Sequence, residues 1–262
     1  IEIDYNSNKK QVQLQAFGQN AIFLRKQIIY GNQTWTPNLP YVILDGITID
    51  TNATLNIQAG TKIYSSANSP FNVDGSLLVN GTKDAPVVFT GNRLDEPYAN
   101  FPASWPGIYL NESSKNNTII FAEIKNAYQA LVSVGPSVNS NPKLNLQQSI
   151  ISNAYSSGIM GIFSDVTANN CLVYNSNQNL LIQLGGNYQF TNCTMATYST
   201  NYLLHKTPVA IVANFAEQGG QTYTQDLQAL FTNCIFWSDE NSLPNELITA
   251  KQGSNVFNVI FN

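Results

Sequence analysis

The chain has 262 residues, 43% of them hydrophobic and only 11% charged, with a net charge of −4 and a pI near 4.9. Its 13 Tyr, 13 Phe and many Ile, Leu and Val can bury a sizeable core, which excludes a disordered chain. Arg25 and Arg93 are the only arginines, so no basic stripe exists to neutralise phosphates, and no apolar run approaches the roughly 18 residues of a membrane span; nucleic acid is excluded as a partner and a transmembrane segment is not expected.

The sequence opens in mid-pattern at Ile1-Glu2-Ile3-Asp4 without a methionine, as a processed or trimmed chain would. Residues 1–40 carry short β-type runs (Val12 to Phe17, Ala21 to Leu24, Gln27 to Tyr30) separated by Asn and Gly. They are expected to form an N-terminal β cap, or the remnant of a preceding segment, because the open end of a stacked β fold exposes unpaired strand edges.

From Tyr41 onward the runs repeat. Ile47-Thr48-Ile49-Asp50 recurs as Phe71-Asn72-Val73-Asp74 and as Ile108-Tyr109-Leu110-Asn111, while Leu55-Asn56-Ile57 recurs as Leu77-Leu78-Val79. Further along, Gln148-Ser149-Ile150-Ile151, Asn170-Cys171-Leu172-Val173, Asn192-Cys193-Thr194-Met195 and Asn233-Cys234-Ile235-Phe236 align column by column, the first three at a period of 22 residues. Short alternating runs broken by Gly, Asn or Pro are half-buried strands joined by turns, and a period near 20 residues is that of a solenoid. No window carries a sustained helical period with caps. The fold class is therefore all-β: a single-stranded solenoid of stacked coils over residues 41–262, with an N-terminal β cap. Loop insertions break the period near 91–104 and 200–228. The final stretch, Asn245 to Asn262, still reads as strand, so the native chain is expected to continue past it.

The amide column suits tight corners, since Asn tolerates the left-handed backbone region better than most residues. The small column (Ser149, Cys171, Cys193, Cys234) reads as inward packing of free thiols, because three cysteines cannot all pair and zinc needs four convergent ligands. No cofactor or metal is expected.

The run from Asn52 to Ile63, the run from Val73 to Thr90, Trp105-Pro106-Gly107-Ile108-Tyr109-Leu110, and the echo of Ile124-Lys125-Asn126-Ala127-Tyr128 in Ile151-Ser152-Asn153-Ala154-Tyr155 resemble pectin-lyase-like parallel β-helix proteins. They most resemble the non-enzymatic-looking surface or secreted members of Bacteroidetes-type bacteria, over roughly residues 41–240. The resemblance implies a right-handed parallel β-helix of some eight short coils, and an extracellular or cell-surface protein, held by a lipid anchor if one lies outside this sequence. Its motifs belong to the scaffold and are silent on activity.

Three functions from different classes stay open. The first is a non-catalytic module that binds glycan or another surface protein through its loops. Its candidate residues are the aromatics in or beside the first insertion, Tyr98, Phe101 and Trp105, together with Tyr174 and Trp237, which share an outward column. The second is a purely structural spacer or adhesin stalk. The third is a polysaccharide lyase or glycoside hydrolase acting on acidic polysaccharide. Hydrolysis needs two carboxylates about 5–10 Å apart, and Asp50 and Asp74, one coil apart, are the one stacked pair. Lyase chemistry needs a base and a cation for the enolate, for which Arg93, Asp95 and Glu96 form the only compact Arg-acid group. Asp is also a common turn residue and Arg93-Asp95 a common surface ion pair, so catalysis is the weaker reading. His205, the only histidine, has no partner of catalytic type in the sequence and reads as solvent-facing or loop-stabilising.

Overall fold

A computed structural model describes residues 2–13, 18–239 and 243–262; the expected run Val12 to Phe17 falls mostly outside them. In each strand, alternate side chains turn inward. Leu55, Ile57, Leu77 and Val79 are fully buried, and they stack in register as Thr54–Gln58 pairs in parallel with Ser76–Asn80. That pairing repeats from coil to coil until 23 strands share one continuous sheet. Each coil makes three short strands, so the sheet folds into three faces around one core and the molecule is a right-handed parallel β-helix.

The first face runs from the start of Ile22–Ile29 to Ile235–Ser238. The second runs from the end of Ile22–Ile29 to Leu247–Ala250, and the third from Asn32–Trp35 to Phe257–Phe261. Aromatic rings stack up the core: Trp35 lies flat on Tyr41 with centroids 4.2 Å apart, Phe71 meets Phe89 edge-on at 5.7 Å, and Phe231 is sandwiched by Phe190 at 5.3 Å and Phe261 at 5.0 Å.

Parallel pairing begins before Tyr41. Ile22–Ile29 pairs with Tyr41–Ile49, and Asn32–Trp35 with Thr54–Gln58, so residues 22–35 form a full rung rather than a separate cap. Their register is hidden in the sequence because the outer side of this end rung is open: Ile22 is exposed and Leu24 only partly buried, where their partners Tyr41 and Ile43 in the next coil are buried. Before that rung, Glu2–Tyr5 and Asn8–Gln11 stand apart, as an antiparallel hairpin in its own sheet.

The corners follow backbone chemistry. Gln148, Asn170, Asn192 and Asn233 all take positive φ, between 48° and 53°, at the turn from the third face to the first. Asn233 Nδ2 donates to Asn192 Oδ1 at 2.7 Å, so the ladder is also hydrogen-bonded. Directly after it, Ser149, Cys171 and Cys193 are buried, Cys234 is partly so, and all three cysteines are free. A second ladder, Asn126, Asn153 and Asn175 with φ of 63°, 55° and 52°, turns the chain from the first face to the second. It is the structural content of the Ile124–Tyr128 and Ile151–Tyr155 echo.

The two period breaks differ. Residues 91–104 leave the coil as one excursion, and Gly107 brings the chain back at φ 129°, where a Cβ would lie 1.6 Å from the Gln129 carbonyl oxygen. The stretch 200–228 is interrupted by a regular rung, Ala210–Ala213, which pairs with Gln178–Thr191. Its irregular parts are a loop before Val209 and an antiparallel hairpin, Phe215–Gln218 with Gln221–Thr224.

Candidate binding face

Both loop excursions leave at the corner between the first and second faces, and the second Asn ladder fixes them there. Asn126 Nδ2 donates to Ala99 O at 2.8 Å and Asn153 Nδ2 to Asn100 O at 2.9 Å, which docks the first excursion onto two successive coils. One coil further on, Asn175 Oδ1 accepts the Tyr198 N–H at 2.8 Å and starts the second excursion. The amides at this corner serve the corner and also hold the loops.

Held this way, the loops touch. Arg93 Cζ sits 4.0 Å over the Tyr98 ring, Tyr98 packs edge-on against Phe101 at 5.2 Å, and Phe101 meets Tyr202 of the second excursion at 4.7 Å. Tyr98 and Tyr202 remain 42% and 48% exposed. On the flank toward the second face, Tyr128 stacks on Tyr155 at 5.6 Å and 23°, both close to half exposed. On the flank toward the first face, Tyr198 packs on Trp237 at 4.8 Å. The corner thus carries a band of aromatic surface.

The second face continues it. Tyr109, Val132, Met160, Leu181, Ile211 and Ile248 occupy one outward column in unbroken parallel register. Alternation requires polar residues there, as at Thr48 and Asn72 earlier in the same column. The apolar switch makes these strands hydrophobic on both sides, as a covered or ligand-contacting sheet would be. Burial raises the Tyr109 hydroxyl above its usual pKa, and neighbouring Tyr128 raises it further.

The sequence-predicted residues divide. Tyr98 and Phe101 lie in the loop cluster. Trp105 does not: it is 1% exposed and its indole N–H donates to Lys125 O at 2.9 Å, so it closes the core beneath the excursion. An aromatic that ends a loop and re-enters a coil is placed inward by the strand that follows. Tyr174 and Trp237 do share an outward column of the first face, with Ala196 between them.

The acidic candidates are each held by hydrogen bonds of their own. Asp74 Oδ1 accepts Asn111 Nδ2 at 2.7 Å, and Asp50 Oδ2 accepts the Asn52 N–H at 3.3 Å, so both carboxylates serve turns. Arg93 grips Asp95 through two 2.8 Å bonds, which lowers the Asp95 pKa and raises that of Arg93, while Glu96 takes the Asn100 amide at 3.2 Å. Asp95 is spent on its own loop. Among the described residues no group of three or more His, Cys, Asp or Glu side chains could hold a metal ion, and no helix is long and apolar enough to cross a membrane.

His205 is buried, with Nε2 3.0 Å from Glu246 Oε1, which also accepts the Ser238 hydroxyl at 2.8 Å. It is the loop-stabilising histidine rather than a solvent-facing one. Sequence reasoning missed Tyr198 and Tyr202 and the outward column from Val132 to Ile248. The signal for the column was present in Leu131-Val132, Leu180-Leu181-Ile182 and Ala210-Ile211-Val212, where apolar residues fail to alternate.

Among known families, the one described as "Pectate-lyase like beta helix domain" matches residues 27–135, spanning the early coils and the first excursion. No curated protein matches the chain. Among solved structures, the chain is similar to the crystal structure of the Dettilon tailspike protein at 12% identity and a TM-score of 0.21, over 88% of this chain and 52% of that one. The chain therefore spans about half the length of that tailspike.

Proposed function

We propose that this protein is a non-catalytic binding module, secreted or held at a cell surface, that engages glycan through the aromatic band where its two loop excursions meet. One observation carries the reading: Phe101 and Tyr202 join the excursions at 4.7 Å and leave Tyr98 and Tyr202 exposed at the same corner as the exposed, stacked pair Tyr128 and Tyr155. Exposed tyrosines offer a flat apolar face with a polar tip at low conformational cost, which suits the C–H faces of sugar rings. Catalysis finds less support, because the carboxylates of Asp50, Asp74 and Asp95 are each engaged in hydrogen bonds within their turn, loop or neighbouring coil. Titration calorimetry against a panel of purified glycans tests the reading: binding that weakens in Tyr128→Ala and Tyr155→Ala supports it, and a flat response from folded protein across the panel contradicts it.

A second reading rests on the outward apolar column from Met160 to Ile248, which suits contact with a protein surface better than contact with sugar. Loss of a protein partner on Met160→Lys, with glycan binding intact, would favour it.

A further inference from the structure

A groove lies on another side of the molecule from the aromatic band, across the outer surface of the third face. It encloses about 590 Å3 between the turn at 137–142 and the outward side chains of the last coils. We propose that this groove is a separate binding site for a neutral, hydroxyl-rich chain, an uncharged oligosaccharide lying across the coils.

Its floor is built by register. Asp165, Asn187, Gln228 and Asn258 form one outward row on four successive coils, and Thr167, Gln189, Leu230 and Ile260 form the row beside it. Successive rungs of a parallel sheet stand about 4.8 Å apart, so the amides of Asn187, Gln228 and Asn258 repeat at that interval. The side chains of Gln189, Gln228 and Asn258 are exposed and make no side-chain hydrogen bond among the described residues. Each amide offers a donor and an acceptor together, the pair that a row of hydroxyls uses. Leu230 and the exposed Ile260 supply the apolar patch that a sugar ring's C–H face needs.

The wall is held from below. Lys143 is fully buried, and its ammonium donates to the carbonyls of Glu112 at 2.8 Å, Asn111 at 3.1 Å and Val134, tying the end of the turn to the strand before it and to the preceding coil. At the groove, Asp165 accepts the Ser137 N–H with one oxygen and the Asn187 amide at 2.7 Å with the other. Lys143 and Asp165 are positioning residues for the wall.

Other ligand classes fit less well. No lysine or arginine lines the groove, and Asp165 is its only ionisable side chain apart from the buried Tyr188 hydroxyl, so an anionic chain has no counter-charge there. An extended peptide added as a strand needs a free sheet edge, and the floor strands spend their backbone groups on the neighbouring coils.

The test uses the whole chain, 15N-labelled, titrated with cellohexaose and with maltohexaose, and with hexagalacturonate as an acidic comparator. Side-chain amide signals of Gln189, Gln228 and Asn258 should move with a neutral hexasaccharide and stay still with the acidic one. Gln228→Ala and Asn258→Ala are surface changes that leave the fold intact, and each should weaken binding by about five-fold, the worth of one hydrogen bond. The proposal is overturned if neither neutral hexasaccharide binds at millimolar concentration, if hexagalacturonate binds as well as they do, or if binding survives both substitutions unchanged. Binding lost in Tyr128→Ala but not in Gln228→Ala would belong to the aromatic band and would equally overturn it, leaving the proposed function of that band standing.

Discussion

Phe101 and Tyr202, from two excursions separated by several coils, pack with ring centroids 4.7 Å apart at an interplanar angle of 56°. Neither loop carries a regular strand at that point, so this contact and the Asn corner beneath it decide whether the two loops present one surface or two. An aromatic pair contributes about 0.5–1.5 kcal/mol beyond its buried area. A double-mutant cycle of Phe101→Ala and Tyr202→Ala on thermal unfolding should therefore show coupling of that order. Additive effects would mean that the excursions stand independently.

The Asn ladder at the other corner yields a backbone prediction. Asn192 sits at φ 53° and accepts the Asn233 amide at 2.7 Å. A non-glycine residue without a short polar side chain pays roughly 1–2 kcal/mol in the left-handed region. Asn192→Ala should destabilise by about that amount in chemical denaturation, while Asn192→Gly should recover most of the loss. Equal losses in the two variants would assign the effect to the hydrogen bond alone.

Trp105 separates core from surface. Deleting a buried Trp ring costs about 3–5 kcal/mol, so Trp105→Ala should lower the unfolding midpoint strongly. Trp105→Phe should keep the fold and leave ligand affinity unchanged, measured by calorimetry. A loss of affinity in folded Trp105→Phe would return Trp105 to the binding surface.

Lys143 gives a pH dependence. Burial pulls its pKa from 10.5 down to about 8, with Glu112 and Asp165 acting in the opposite direction. A lysine whose folded pKa is depressed binds fewer protons folded than unfolded between those two values, so its linked stability is present above 10.5 and lost as pH falls through about 8. Raising the pH from 8 toward 10 should therefore stabilise the wild-type chain relative to Lys143→Met. Above pH 10 the buried Tyr188, whose pKa is pushed up, works against folding, so the comparison belongs below that point. Melting curves that run parallel over pH 8–10 would contradict the assignment.

The period was legible wherever a coil is short. Gln148, Asn170, Asn192 and Asn233 announced their corner because only a few residue types tolerate the left-handed region, and the thiol column followed from small residues at fixed offsets. The first rung was not legible, since the open outer side of Ile22–Ile29 removes the burial that writes alternation into a sequence. The meeting of Phe101 with Tyr202 could not be read either, because long-range loop contacts leave no periodic mark. Nor could the orientation of Trp105, which is set by the strand it enters. Asp50 and Asp74 lie at strand ends, where Asp is a common turn residue.

On the proposed reading, glycan contacts the aromatic band at the corner of the first and second faces. The most direct test is calorimetric titration of a glycan found to bind the wild-type chain into the Tyr128→Ala/Tyr155→Ala double variant, with folding checked by circular dichroism. Stacking of one ring is worth about 1 kcal/mol, so the double variant should bind at least ten-fold more weakly with an unchanged spectrum. Unchanged affinity in the folded double variant would contradict the claim.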